Sequence, residues 1–355
     1  MPITINVPDA LRRQVEAASG GKNTVLYTAA GQPCFMVVIP KFTVQSIDAS
    51  LGTGTHPAFI VDGVEKNNLF IGQYLGSSRN NELLSRPGVD PVASITHDAA
   101  VTLVRNNGAG WHLTSSVEFA ALALWCWKNG TMPRGNNDFG RDHAATLEVG
   151  VRQDAIAPGT ASGTARTFTG SGPASWRHDN TPFGISDLNG NVWEWTPGLR
   201  VNNGEIQVFE NNNAALITAN FAAGSAEWRA IDGATGDLVA PGHANSVKYA
   251  STNSGTAGYT LYRLTANSFE AMANSTGANP VSAAALQKLK QLGCFPVAGS
   301  GLGGDGFYLS TSGERVAVRG GSWHIGSLAG VFALDLSKER SDGSTGRGAR
   351  PAFVI

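Results

Sequence analysis

The sequence predicts an α+β fold of irregular, loop-rich character, built as one large domain with a long insertion. Three observations carry this. Glycine is abundant (44 residues) and Asn, Ser, Ala and Thr are plentiful, so many positions serve turns and irregular loops. The chain is nonetheless 42% hydrophobic with eight Trp, a globular composition with enough apolar surface for a substantial core. Over 355 residues there is neither an internal repeat nor a sharp break in composition, which favours one domain over two compact ones.

The elements follow in chain order. PDALRRQVEAA (8–18) reads as a short helix, with Pro8 at a first helical position and Asp9 favoured by the N-terminal dipole. The run Phe35-Met36-Val37-Val38-Ile39 is apolar on both faces, as in a buried strand. Residues 56–75 give a strand, an Asp-Gly turn and a second strand. The clearest helix spans 115–128: Ser115 and Glu118 have capping-box spacing, VEFAALALWCW follows, and Gly130 closes it. It is apolar nearly all round and so is expected to be buried on several sides. Residues 129–175 read as loop. The stretch 201–280 is mixed, with strand signals in EIQVFE and TLYRLT, and 281–292 is a modest amphipathic helix ending at Gly293. Residues 1–40 form a small N-terminal segment, separate or part of the main domain; 41–355 form that domain, with the insertion at about 205–310 and a distinctive tail at 319–353.

Charge and cysteine usage exclude several roles. A net charge of −1 with 15% charged residues gives no bulk attraction for nucleic acid or an anionic membrane. Cys34, Cys126 and Cys294 are scattered and odd in number, which argues against a disulfide framework or a cysteine metal site; Cys126, within ALALWCW, reads as a buried thiol. The stretch MPITINVPDALRRQ lacks the apolar region of a secretory signal, and no run approaches a transmembrane span. GSGLGGDG (299–306) is glycine-rich but is not followed by the GK[ST] of a phosphate loop.

Two stretches carry more specific signals. In GISDLNGNVWEWTPG (184–198), a polar turn feeds a strand whose alternation puts Trp193 and Trp195 on one face and Glu194 on the other. Glu194 then bonds loop backbone, or it joins Asp187 and Asn189 with carbonyl oxygens in a calcium site. The tail, RGGSWHIGSLAGVFALDLSKERSDGSTGRGARPAFVI, mixes a frame that packing dictates with residues that look arbitrary. The frame includes Gly320, Gly321, Trp323 and Phe332.

WHLTSSVEFAALALWCWKNGTMPRGNN, GISDLNGNVWEWT and VRGGSW occur in that order. Together they resemble the C-type lectin fold in its formylglycine-generating-enzyme-like branch. Within it, the chain is similar to the variable proteins of diversity-generating retroelements, which include phage tropism determinants. The resemblance covers roughly 105–200 and 315–353, is weaker over 35–75, and does not extend to about 205–310. It implies a non-enzymatic protein whose C-terminal surface binds a variable protein or glycan ligand on a host-cell surface. It also implies no resident cofactor beyond possible calcium, a homo-oligomer or tail-fibre partner, and residence in a virion or in the cytoplasm before assembly. Laying the family's spacing on the tail puts mutable, ligand-binding positions at His324, Ile325, Leu328, Asp335, Ser337, Lys338, Asp342, Ser344, Gly346 and Arg347, with Ser322 and Ser327 as further candidates. Trp193, Trp195, Gly320, Gly321, Trp323 and Phe332 would form the scaffold, with Gly330 and Gly348 also permitting turns. Mutable sites in this family arise from AAY template codons and become NNY codons, which encode no Lys, Glu, Gln, Met or Trp. Nine of the ten residues fit; Lys338 does not.

The same branch contains enzymes. The formylglycine-generating enzymes carry reactive cysteines after the RGGSW-like segment, whereas HIGSLAGVFALDL follows Trp323 here. Another relative uses several histidines to hold iron, and the seven His of this chain show no paired ligand spacing. A metal-dependent enzyme and a purely structural tail protein are the alternatives to ligand binding.

Overall fold

The computed structural model describes residues 9–250, 258–263 and 268–355. The protein is mixed α+β, mostly loops and open sheets. Its first helix is Ala10–Ser19, so Asp9 is the N-cap and accepts from the Arg12 backbone N–H rather than lying in the first turn. Pro8, and Leu264 and Thr265 of the expected TLYRLT strand, lie outside the described residues.

A five-stranded antiparallel sheet runs Asn23–Tyr27, Pro33–Pro40, Asn68–Gly72, Pro351–Phe353, Trp111–Leu113. The segment before residue 41 therefore shares its sheet with the last strand of the chain. Met36, Val37 and Ile39 are buried as the apolar run predicts, while Phe35 and Val38 are half-buried. The hairpin expected over 56–75 is short: Ile60–Val61 pairs with Val64–Glu65 across Asp62 and Gly63, both at positive φ (51° and 72°). The strand after it, Asn68–Gly72, belongs to the larger sheet.

The second sheet is mixed and has 11 strands among the described residues. Its main path is Met272–Asn274, Thr260–Arg263, Lys248–Ala250, Glu205–Val208, Trp193–Asn202, Glu314–Gly320, Gly330–Lys338, Phe307–Leu309. Residues 205–310 extend this sheet at both edges. A helix at His97–Arg105, for which the sequence predicts no element, is capped by Thr96, whose hydroxyl accepts from Ala99 N–H.

The Ser116–Asn129 helix packs against both sheets. Its apolar side chains join Val37, Ile39, Leu69 and Ile71 of one sheet and Leu199, Val201, Leu334 and Leu336 of the other in one core. The capping box forms as the sequence predicts, and Gly130 closes the helix at φ 65°. Glu118 also accepts from His112 Nε2 (2.9 Å) and from Asn212 Nδ2 (2.9 Å), which ties the insertion to the helix start. Ser282 caps the Ala283–Gln291 helix, and Gly293 follows at φ 62°. Residues 130–173 contain no helix and no strand longer than an isolated bridge; buried side chains hold them instead. Arg152, for example, donates to the carbonyls of Thr160 (2.8 Å) and Ser162 (2.6 Å) and pairs with Asp154 (2.7 Å).

Candidate ligand-binding surface

The tail is built into the second sheet. Gly330–Lys338 pairs antiparallel with Glu314–Gly320 and parallel with Phe307–Leu309. Residues in register share a face. Phe307, Leu334, Arg319 and Glu194 form one row, on the side of the Ser116–Asn129 helix; Tyr308, Asp335, Val318 and Trp195 form the next, on the opposite side. The apolar residues Val331, Phe332, Leu334 and Leu336 are all buried.

Arg350 is the strongest lock on this arrangement. Fully buried, it donates to Glu194 through Nη2 (2.7 Å) and Nε (3.0 Å), to Gly72 O (2.9 Å) and to Ser186 O (2.8 Å). Glu194 thus faces a guanidinium, not loop backbone. Its pKa stays above the ordinary carboxylate value, because burial raises it by more than Arg350 lowers it. Around the calcium candidates the donors are also spent internally. Asp187 accepts from Gly170 N–H (3.0 Å), and Asn189 accepts from Asn137 (3.1 Å) and donates to Pro133 O (2.8 Å). With Glu194 neutralised by Arg350, these residues do not fit a calcium site.

Asp305, from the glycine-rich 299–306 stretch, supplies a second lock. Its carboxylate accepts from Phe332 N–H (2.7 Å) at the start of the tail strand. It is fully buried, and burial raises its pKa well above the ordinary value. This explains Gly330: a Cβ there would overlap the Asp305 carboxylate, and its φ is not positive. Gly348 is likewise a close approach, to Val92 O, so neither glycine is required for a turn. Gly320 and Gly321 are, at φ 91° and 90°.

The ten candidate positions fall into three groups. Asp335, Ser337 and Lys338 meet at the end of the strand: Asp335 accepts from Ser337 N–H (2.8 Å) and Oγ–H (2.6 Å) and lies 3.3 Å from Lys338 Nζ. His324, Ile325 and Leu328 lie on the turn after Trp323. Asp342, Ser344, Gly346 and Arg347 lie on the last loop, where Arg347 Nη1 is 3.9 Å from Asp342 and Nε is buried without a partner among the described residues. Trp323 links the turn to the loop through Gly346, and Trp193 pairs in register with Arg347. Leu328 O accepts from Gly306 N–H (2.9 Å) beside Tyr308, which joins the turn to the strand group.

Of the ten, His324 is exposed, Ile325, Leu328, Ser337, Lys338, Asp342, Ser344 and Arg347 are partly buried, and Asp335 and Gly346 are buried. Asp335 is 3% exposed because it sits mid-strand between Tyr308 and Val318 with its carboxylate folded onto Ser337. Gly346 is buried against the Trp323 ring. Of the further candidates, Ser327 is exposed and Ser322 is buried. The six scaffold residues Trp193, Trp195, Gly320, Gly321, Trp323 and Phe332 are all buried.

Two residues outside the tail belong to this surface. Tyr308 is half-buried beside Asp335 and makes an edge contact with Trp193 (6.0 Å between centroids). Its hydroxyl has no partner among the described residues. The short FYL strand after a glycine run carries no sign of this role. Phe139, at φ 49°, donates its N–H to Trp323 O (2.7 Å) and packs on the Trp323 ring cluster. A bulky residue at positive φ is uncommon and stores strain where the surrounding structure imposes it. The cysteines are all buried, and burial raises each thiol's pKa, that of Cys34 to about 12.

No protein-family model matches the chain, and no curated protein matches it. Among solved structures, Treponema denticola variable protein 1 aligns over 93% of this chain and 98% of its own length, at 11% identity and TM-score 0.34. A Major Tropism Determinant U1 variant aligns over 90% of this chain, at 13% identity and TM-score 0.31, and the chain spans 62% of that protein's length. At such TM-scores the functional reading rests on the chain's own residues.

Proposed function

We propose that the chain is a non-enzymatic ligand-binding protein with a C-type lectin fold of the formylglycine-generating-enzyme-like branch, whose C-terminal surface a retroelement diversifies. One observation carries this: eight tail positions of unrelated chemistry, one exposed and seven partly exposed, ride on a frame of buried residues locked by Arg350 and Asp305. Exposed substitutions usually change stability by less than about 0.5 kcal/mol, so such a surface can change its chemistry while its frame stays folded. The order of the three motifs supports the fold reading. So does their adjacency, since Arg319 of VRGGSW pairs with Glu194 and Trp111–Leu113 pairs with the final strand.

The ligand is a protein or glycan on a host-cell surface, and the setting is a phage virion, in which many copies raise avidity without new contacts. Tyr308 and Arg347 add to this surface an aromatic hydroxyl and a guanidinium, side chains enriched at binding hot spots. The test replaces His324, Ile325 and Leu328 together with Ala and measures attachment of particles or purified protein to host cells. Attachment falls while the melting curve is retained. Unchanged attachment, with the same result for Arg347→Ala and Tyr308→Phe, removes the proposal and favours a structural tail protein.

A further inference from the structure

A cavity of about 500 Å³ opens away from the tail: none of the ten candidate positions lines it. Val37, Ile39, Leu122, Trp125 and Phe183 are among the residues that line it. This volume lies within the range of small-molecule sites and far exceeds the voids of ordinary packing. The lining is chiefly apolar, with one built-in polar group. His178 has only 6% of its side chain exposed and stacks at a tilt against Trp125 (5.1 Å between centroids). Its Nδ1 accepts from Ile185 N–H (2.9 Å), which places the ring proton on Nε2. That N–H has no partner among the described residues. Burial lowers the pKa of His178 to about 4, so the ring is a neutral donor near neutral pH.

The mouth carries opposite charges. Lys22 Nζ lies 3.9 Å from Asp179 Oδ2, and Thr181 donates to Asp179 through N–H (3.0 Å) and its hydroxyl (2.9 Å). Lys22 and Asp179 offset each other, so the lining offers no net charge to select an anion or a cation, which favours a neutral ligand. An apolar body packs on Val37, Ile39 and Leu122, a flat one stacks between the aromatic side chains, and an acceptor oxygen replaces solvent on His178 Nε2–H.

We propose that this cavity is a constant ligand site, independent of the tail surface, for a neutral aromatic small molecule bearing one carbonyl acceptor that His178 Nε2–H engages.

The test titrates the full chain with 2-acetylnaphthalene and with 2-isopropenylnaphthalene, in which a CH2 replaces the carbonyl oxygen, by calorimetry and saturation-transfer NMR. The ketone is expected to bind saturably and roughly fivefold more tightly than the hydrocarbon, the worth of one hydrogen bond. In His178→Phe the difference disappears, and Val38→Trp, which fills the cavity from a half-exposed strand position, abolishes both. Equal binding of the two probes by the unaltered chain overturns the role of His178, whether or not His178→Phe folds. Binding of neither probe up to its solubility limit overturns the site. Alanine substitutions at His324, Ile325 and Leu328 leave both affinities unchanged.

Discussion

Replacing Arg350 with Met tests the lock that joins both sheets. The guanidinium bonds Glu194 in one sheet, Gly72 in the other and Ser186 in the loop between them. Met keeps most of the apolar volume but leaves Glu194, 1% exposed, as an unpaired buried carboxylate beside two carbonyls that each lose a donor. Breaking a buried pair from one side costs about 3–5 kcal/mol. At the usual unfolding entropy per residue, each kcal/mol moves the midpoint of a 355-residue chain by about 1.3 °C, so Arg350→Met should melt about 4–7 °C lower. Calorimetry and urea melts followed by circular dichroism measure this. The double variant Arg350→Met with Glu194→Met removes the orphaned charge and should recover part of the loss, because the penalty lies in the unpaired ion rather than in the pair itself. If Arg350→Met melts like the parent, or if the double variant is the sum of two large losses, the reasoning fails.

Other expectations follow from the same geometry. Asp305→Asn keeps an acceptor for Phe332 N–H and removes a charge that burial disfavours, so at pH 7 it should be no less stable than the parent, whereas Asp305→Ala should cost about 1–3 kcal/mol; equal losses in thermal melts would contradict the assignment. Among the tail positions, His324→Ala and Ser344→Ala should shift stability by less than about 0.5 kcal/mol, and Asp335→Ala by more, since of these three Asp335 alone is buried. A urea-melt series that ranks them in reverse would refute the outward-and-inward division. Burial holds His56 at about 3 and His178 at about 4, below their ordinary 6.5. Their stabilisation is therefore full above about pH 6.5 and lost as pH falls toward those values, each histidine costing about 1.4 kcal/mol for every pH unit of that fall. Burial lowers His112, but Glu118 raises it by more, so its contribution is full below pH 6.5 and fades as pH rises. His56→Gln should flatten the stability loss between about pH 6.5 and 4, and an unchanged slope would count against the buried-histidine account.

Local rules made part of this fold legible. Ser115 with Glu118, Ser282 with Gly293 and Asp62-Gly63 are short-range devices whose partners lie within a few residues, so spacing alone identifies them. Alternation correctly put Trp193 and Trp195 on one face because pairing with Arg347 and Val318 keeps the strand regular there. What sequence could not show was long-range. Glu194 finds Arg350 across 156 residues, and Asp305 reaches a backbone N–H 27 residues on. Nothing local distinguishes either carboxylate from a loop ligand. The calcium candidates failed for this reason, as did the outward placement of Asp335. Tyr308 was missed because its strand has three residues and gains its meaning only from pairing with the tail. The 130–173 loop has no period to read; side chains such as Arg152 order it.

The central claim, that the tail is a programmed binding surface, is tested most directly by sequencing the DNA beside this gene. The account predicts a near-copy of the codons for Arg319–Phe353, next to a reverse-transcriptase gene. Adenines should stand in it at the codons of the outward positions His324, Ile325, Leu328, Ser337, Asp342, Ser344 and Arg347. A genome with no such copy contradicts the claim and leaves the tail a fixed sequence.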